Sequence, residues 1–396
     1  MKKIITVLAA AALASSLAFA DGLKLSFYNK LYQEDAILDH YDNGKDGDGD
    51  SETVTDFPAL KERMFVEVKS DRVDAMVKAT FKFDDLDGSH FGFVGSYVND
   101  WYVEFRPVEV LSLGMHDQIY SDGSYLPVYD DNLWAGNIGS NGFTVAFKPI
   151  ENLRIAATVP FSTIASEEDS PNENYLNGKK EKNEDEEFDT GIGAIFDHEL
   201  FQIGASIQDI LDGDDRQVGA YINMPNLFGA VEGLTVGAGF AASERPRESF
   251  GDLISVGHIE GGVSYENLLS AYATIELGKF SLSAEMLYNL GYKHDVKDAG
   301  WDAVHNRKLY TAVGYDFYTG AAISFGLVDK LTATVTGKLM LDLASDADDE
   351  ADLMTSGAFA IDYELNERNT LGAEFDVGIC DSDWAVAIPV YWKYHF

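Results

Sequence analysis

The last thirteen residues, Trp384-Ala-Val-Ala-Ile-Pro-Val-Tyr-Trp-Lys-Tyr-His-Phe396, leave the chain few ways to fold. Counting back in twos gives Phe396, Tyr394, Trp392, Val390, Ile388, Val386 and Trp384, all aromatic or β-branched. The other register reads His395, Lys393, Tyr391, Pro389, Ala387 and Ala385. A strand sends alternate side chains to opposite faces, so the stretch predicts a strand with one greasy and one mixed face. It stops on the greasy register, on a free-carboxylate Phe. A soluble domain seldom ends that way. A closing strand of a membrane barrel must, because its outer face meets lipid and its edge has to pair with the first strand.

The other terminus points to export. Met1-Lys2-Lys3 is basic, Ile4 to Leu13 is apolar, and Ala18-Phe19-Ala20 is a small-x-small cleavage site before Asp21. That is a secretory signal peptide, residues 1–20, cut near Ala20 and excluded from the fold. Its apolar run is too short for a membrane anchor, and no later run is long enough for a spanning helix. Residues 21–396 are expected to form a single barrel domain. They number 376 (396 − 20), long for one soluble domain and natural for one large barrel. Without Lys2 and Lys3 the chain has 27 basic residues (29 − 2) against 67 acidic, a net charge of −40. That excludes nucleic acid, whose phosphates need the opposite sign. Cys380, the single cysteine, has no second cysteine for an internal disulfide and no basic neighbour in sequence to activate it.

Between the termini one pattern repeats: about ten alternating residues, a short turn, ten more, then a longer polar loop. The first predicted strand, 22–32, puts Leu23, Leu25, Phe27 and Leu31 on one face and Lys24, Ser26, Tyr28 and Lys30 on the other. It starts so near the cleavage site that no plug domain fits before it. Strands over 60–70 and 73–83 flank the turn Asp71-Arg72, and a loop over 84–98 precedes strands 101–106 and 110–116. Paired strands follow at 143–148 and 153–161, 188–196 and 201–207, and 218–224 and 234–242. Two stretches, 259–277 and 309–327, hold one register unusually long, and each is expected to be one strand projecting beyond the membrane. With 280–290, 331–341, 359–365, 371–379 and the terminal strand, the total is about 18, within a range of roughly 16 to 20. The fold class expected is all-β, a transmembrane antiparallel up-and-down barrel. A soluble sandwich would carry charge on its polar register. Here that register is rich in small residues such as Gly191, Gly193, Ser206, Gly237, Gly239, Thr332, Thr334 and Thr336.

The terminal residues Trp392, Tyr394 and Phe396 resemble the C-terminal signature of bacterial outer-membrane β-barrels, which their assembly machinery reads. The resemblance implies that machinery and outer-membrane lipid as partners, and the cell outer membrane as location. The architecture also resembles general porins, whose third surface loop folds into the barrel and narrows it, and whose usual assembly is a homotrimer. The likeness is architectural and carries no residue across. Loop 118–141 suits such a role, with Tyr120, Tyr125, Leu126, Pro127, Val128, Tyr129, Leu133 and Trp134 around Asp122, Asp130 and Asp131.

A barrel this wide keeps an aqueous lumen. Its inward register is basic through the first half: Lys24, Lys30, Lys61, Arg63, Lys69, Lys78, Lys82, Arg106, Lys148 and Arg154. The expected pore constriction sets Lys61, Arg63, Lys69, Lys78, Lys82 and Arg106 against Asp122, Asp130 and Asp131. Opposed charges across a constriction make a transverse field that sorts solutes. The function expected is passive diffusion of small hydrophilic solutes or ions. A second reading keeps the barrel but blocks the lumen, leaving a surface adhesin or structural barrel that works through its acidic extracellular loops.

Other chemistry is thin. Asp46, Asp48 and Asp50 have the spacing of an EF-hand start, but the sixth position is Ser51 and the twelfth Phe57, where Gly and Glu are needed. Loose Ca²⁺ binding by these carboxylates and a simply solvated loop both stay open. The eight histidines are scattered, and none falls beside a nucleophile. No enzyme activity and no cofactor are expected.

Overall fold

Along Phe143–Phe147, solvent exposure switches with every residue: Phe143 52%, Thr144 4%, Val145 46%, Ala146 3% and Phe147 48%. A half-buried strand in a soluble protein hides its greasy face. Here the greasy face is the exposed one. The inversion recurs at Phe359, Ile361 and Tyr363, at Leu371 and Phe375, and at Val390 and Trp392. An exterior built this way needs lipid around it rather than water.

The computed structural model describes residues 28–33, 36–41, 50–52, 60–85, 91–115, 124–129, 131–133, 142–160, 190–208, 210, 216–257, 259–290, 301–302, 307–308, 317–341, 353–380 and 383–395. Twenty-one strand pieces form one sheet. Among the described residues they group into eighteen wall strands, three of them made of two pieces each. β1 is Tyr28–Gln33 with Ala36–Tyr41, β2 is Asp50–Glu52 with Leu60–Lys69, β3 is Val73–Asp85, β4 is Phe91–Val108, β5 is Leu111–Met115 and β6 is Gly142–Ile150. β7 is Leu153–Pro160, β8 Gly191–His198, β9 Phe201–Gln208, β10 Gln217–Met224, β11 Leu234–Val256 and β12 Ile259–Leu277. β13 is Phe280–Asn289, β14 Phe317–Val328, β15 Leu331–Leu341, β16 Leu353–Asn366, β17 Asn369–Cys380, and β18 is Asp383–Ala387 with Val390–His395.

Strands adjacent in sequence are adjacent in the sheet, and every pairing is antiparallel. The last strand returns to the first, with Tyr28 opposite His395, Leu31 opposite Trp392 and, higher up, His40 opposite Trp384. β1 pairs in turn with β2 through Asp39 and Glu52. The order of neighbours therefore comes back to its start, which removes the exposed edges a sheet otherwise carries. At one end the strands join through tight turns such as Asp71-Arg72, Gly278-Lys279, Asp329-Lys330 and Glu367-Arg368. Among the described residues no helix is long and apolar enough to cross a membrane.

Inside, bulk is kept off the wall by a repeated device. Tyr221 lies over Gly204, Tyr272 over Gly237 and Tyr391 over Gly372, each pair directly opposed in its ladder. A Cβ at any of these glycines would overlap the ring, so the tyrosines lie flat only because the opposing residue has no side chain. Hydroxyl pairs cross the same face, Thr144 with Thr158 at 2.9 Å and Ser324 with Thr334 at 2.8 Å.

Three expectations need correction. β4 begins at Phe91, so most of the expected loop over 84–98 is strand. Gly92, Gly95, Asn99 and Asp100 suggest loop, yet beyond the lipid band a ladder continues without greasy alternation, absorbing shifts near Lys78 and Lys82. β11 likewise runs on to Val256 instead of stopping at Ala242. The stretch 259–277 is one strand, β12, but its upper part does not project freely: Ile259, Val263 and, opposite, Leu253, Ile254 and Val256 are buried. Of 309–327, β14 covers the part from Phe317, and 309–316 lie outside the described residues, as do 1–20.

Candidate functional site

The ladder between β2 and β3 places the expected bases at a single parity along the two strands. Lys61 is opposite Lys82, Arg63 opposite Thr80, Phe65 opposite Lys78, and Lys69 opposite Asp74. From Lys61 to Lys69 the strand climbs roughly 26 Å at strand spacing. The bases therefore form a ladder along the barrel's height rather than a ring at one level, and Glu67 stands among them.

Arg106 is at the foot of that ladder. Its Nη2 lies 2.7 Å from Asp74 Oδ2 and donates to the Ser70 carbonyl at 3.0 Å, while Nη1 is 3.3 Å from Glu104 Oε2. The Ser70 to Val73 turn sets this cluster, closed by Ser70 Oγ accepting from the Val73 N–H at 2.9 Å. The sequence pattern predicts that Arg106 faces the acids of loop 118–141. Its partners are instead Asp74 and Glu104, because the tight turn brings β3 and β4 acids to it at the rim.

β16 and β17 carry an acidic arc that the basic half of the sequence does not foreshadow. Asp362 and Glu364 on β16, and Glu374 and Asp376 on β17, have the parity opposite to exposed Phe359, Ile361, Tyr363 and Phe375. The Tyr391 hydroxyl donates to Asp362 Oδ1 at 2.6 Å. Next to it the Lys393 ammonium is 4.5 Å from the Tyr391 ring centroid, and Lys393 faces Lys30 across the closing seam. The strands that follow across the closing seam, β1 to β3, carry the expected bases in sequence. The signal that finds these acids is the same alternation, followed past β15.

Within the loop between β5 and β6, Ser124–Leu126 and Asp131–Leu133 form a small antiparallel ladder, with Asp131 opposite Leu126. Asp122 and Asp130 lie outside the described residues. Leu126 is fully buried. The Val128 N–H donates to Glu285 Oε2 at 2.5 Å, the Tyr129 N–H donates to the same carboxylate, and the Tyr318 hydroxyl donates to Oε1 at 2.7 Å. Glu285 belongs to the inner face of β13 and is almost wholly buried. Lys338 of β15 donates to the Leu253 carbonyl at 2.8 Å, with its ammonium 5.9 Å from the Tyr129 ring centroid. This part of the loop thus leans on β13 to β15, across the ring from the basic ladder of β2 and β3.

Around Leu126 is an apolar cluster inside the barrel. Leu253, Ile254, Val256, Ile259 and Val263 come from the upper β11–β12 hairpin, and Met340, Met354 and Cys380 from the wall. The hairpin leaves the wall where the ladder is irregular: Ala242 is opposite Asn267 but Arg247 is opposite Tyr265. Such extra residues bend a strand pair. The hairpin ends against β15 to β17, with Gly261 beside the sulfurs of Met354 and Met340, and Gly378 beside Val256 and Ile259.

Lower on the wall, a polar rung joins four strands. Gln202 Nε2 donates to Asp197 Oδ1 at 2.6 Å, Asn223 Nδ2 to Gln202 Oε1 at 3.4 Å, and the Tyr272 hydroxyl to Asn223 Oδ1 at 3.1 Å. A pocket of about 450 Å³ at the short-turn end is lined by Glu276, Lys279, Ser281, Ser324, Thr332 and Glu364 among others. On the terminal strand Trp392 is exposed and donates from Nε1 to Asn369 Oδ1 at 2.9 Å, and Tyr394 is opposite Asn29. Phe396, Asp46 and Asp48 lie outside the described residues, while Asp50 is opposite Tyr41. Among the described residues no group of three or more His, Cys, Asp or Glu could hold a metal ion.

No family model and no curated protein matches the sequence. Solved structures do match. The outer membrane protein OprD from Pseudomonas aeruginosa is 12% identical over 95% of this chain and 95% of its own, with a TM-score of 0.51. OpdL of the same bacterium is 12% identical over 94% and 97%, with a TM-score of 0.53. OccAB4 of Acinetobacter baumannii is 8% identical over 95% and 99%, with a TM-score of 0.52. At such identities the likeness is one of fold, and the fold is that of bacterial outer-membrane β-barrels.

Proposed function

We propose that this chain, folded as a bacterial outer-membrane β-barrel, is a porin-like channel for passive diffusion of small hydrophilic solutes or ions in the outer membrane. The observation that carries this reading is the inverted wall. The greasy register faces out, and the inward register offers hydroxyls, amides, flat tyrosines and both signs of charge. Eighteen strands are more than side chains alone can fill, so a wall of that size surrounds water. The basic ladder, Lys61, Arg63, Lys69, Lys78 and Lys82, and the acidic arc of β16 and β17 then shape selectivity through their field. The role is that of a passive conduit and not an enzyme. Its terminal strand, with Trp392, Tyr394 and Phe396, is read by the barrel-assembly machinery, and the assembled form is a homotrimer.

The test is current through planar bilayers and sugar flux in liposomes. Folded protein should pass both. A heat-modifiable, correctly folded barrel that passes neither, even with residues 244–264 replaced by a short turn, would rule the channel out. Arg63→Ala should shift the reversal potential toward cation preference. Arg106→Ala should shift it less, because Asp74 and Glu104 already offset that charge.

The apolar cluster favours a second reading, a surface barrel whose lumen is shut and whose acidic loops bind a partner. In that case deleting residues 33–56 would abolish binding to the partner surface and leave membrane current unchanged.

A further inference from the structure

We propose that the upper β11–β12 hairpin and the loop carrying Leu126 to Tyr129 form a two-part gate across the lumen. This rests on the channel reading and adds the way the channel is kept shut.

Reach is the first support. The loop springs from β5 and β6 and is held by Glu285 on β13, whose carboxylate accepts from the Val128 N–H and from the Tyr318 hydroxyl on β14. The hairpin springs from β11 and β12 and ends against β15 to β17. The two meet at Leu126, which shares one cluster with Leu253, Ile254 and Ile259. A continuous bridge therefore runs between opposite sides of the ring. The second support is its surface. The meeting side chains are aliphatic and almost without solvent exposure, and an apolar constriction stops ions by excluding water. Third, wall side chains tie to the backbone of this bridge, Glu285 to the Val128 and Tyr129 N–H groups and Lys338 to the Leu253 carbonyl. Both can release without breaking a wall ladder. The fourth is a hinge. The hairpin ladder is broken between Ala242 and Arg247, again between Glu248 and Phe250, and again between Phe250 and Ile254.

The experiment locks and unlocks the hairpin in the full-length barrel. A Cβ at position 378 would stand 3.2 Å from that of Ile259, close enough for a disulfide to form with small adjustment. The lock is Ile259→Cys with Gly378→Cys in a Cys380→Ser background, its controls being the reduced form and Cys380→Ser alone. The unlocking variants are Glu285→Gln, Lys338→Met, and replacement of residues 244–264 by a short turn. Heat-modifiable migration checks that each barrel is folded, and the turn replacement keeps the test valid if a point variant fails to assemble. In planar bilayers the oxidised lock should abolish openings that reductant restores, and the unlocked barrels should carry severalfold more current than the parent chain. If locked, reduced and unlocked barrels all conduct like the parent, the gate is overturned while the channel stands. If even the shortened barrel carries no current, the channel reading falls and the gate falls with it.

Discussion

Gly372 shows how much a single hydrogen atom in place of a side chain decides. The Tyr391 ring occupies the space a Cβ would take, and its hydroxyl continues to Asp362. Gly372→Ala must lift the ring off the wall and strain that hydrogen bond, at a cost of about 1–3 kcal/mol for overpacking. Gly337 has open space where its Cβ would be, so Gly337→Ala should leave stability nearly unchanged. Urea unfolding in detergent, followed by tyrosine and tryptophan fluorescence, separates the two. At the turn end, Lys279 donates to Asp329 at 2.8 Å and holds that carboxyl below its ordinary pKa. Because the folded value is depressed, the pairing is in place above the ordinary carboxylate range and is lost as pH falls through the lowered value. A carboxyl-selective NMR titration should show the low midpoint, and Lys279→Ala should return it to the ordinary range. Both groups are exposed, so the effect on overall stability should be small.

Among the elements, β11 and β12 combine two kinds of strand in one hairpin. From Leu234 to Ala242 the ladder to β12 is unbroken, while from Ala242 upward it is interrupted three times. Hydrogen exchange should divide at that boundary, with amides of 268–277 protected far longer than those of 247–263, although Leu253, Ile254 and Ile259 are fully buried. Uniform protection along the hairpin would argue that it never leaves its place. The same division explains what the sequence made legible. Where a strand faces lipid on one side and water on the other, alternation is enforced by solvent, and 18 strands, their turns and the closing seam can be read off directly. Leu253, Ile254, Val256 and Ile259 are buried on both faces, so parity there carries no information and the inserted hairpin resembles a projecting strand. The clasp on loop 118–141 was not legible, because Glu285 is one acid among 67 acidic residues, and only the register of β13 shows that it points inward.

For the whole molecule, the inverted wall makes a sharp demand on where charge can be placed. Phe375 is exposed on the outer face of β17, and Thr336 lies at mid-height on the inner register of β15. Phe375→Arg should cost about 2–4 kcal/mol if that face meets the middle of a bilayer, against little for Thr336→Arg in the lumen. Refolding into lipid vesicles and reading the folded fraction on a cold gel makes the comparison, and the reverse ordering would mean that inside and outside have been exchanged. The chain's negative charge fits this picture. It cannot sit on the lipid face, and acids such as Asp362, Glu285 and Asp329 keep to the inner register or to turns.

Cys380, the one thiol in the chain, is buried beneath the inserted hairpin in the cluster with Val256 and Ile259. Its covering comes from a segment with a hinge rather than from the wall alone. A small water-soluble alkylating reagent should therefore reach it only during the intervals when the hairpin swings out. The rate of modification becomes a stopwatch for the open state, readable by mass without any electrical recording, and bulkier reagents would gauge how wide the doorway becomes.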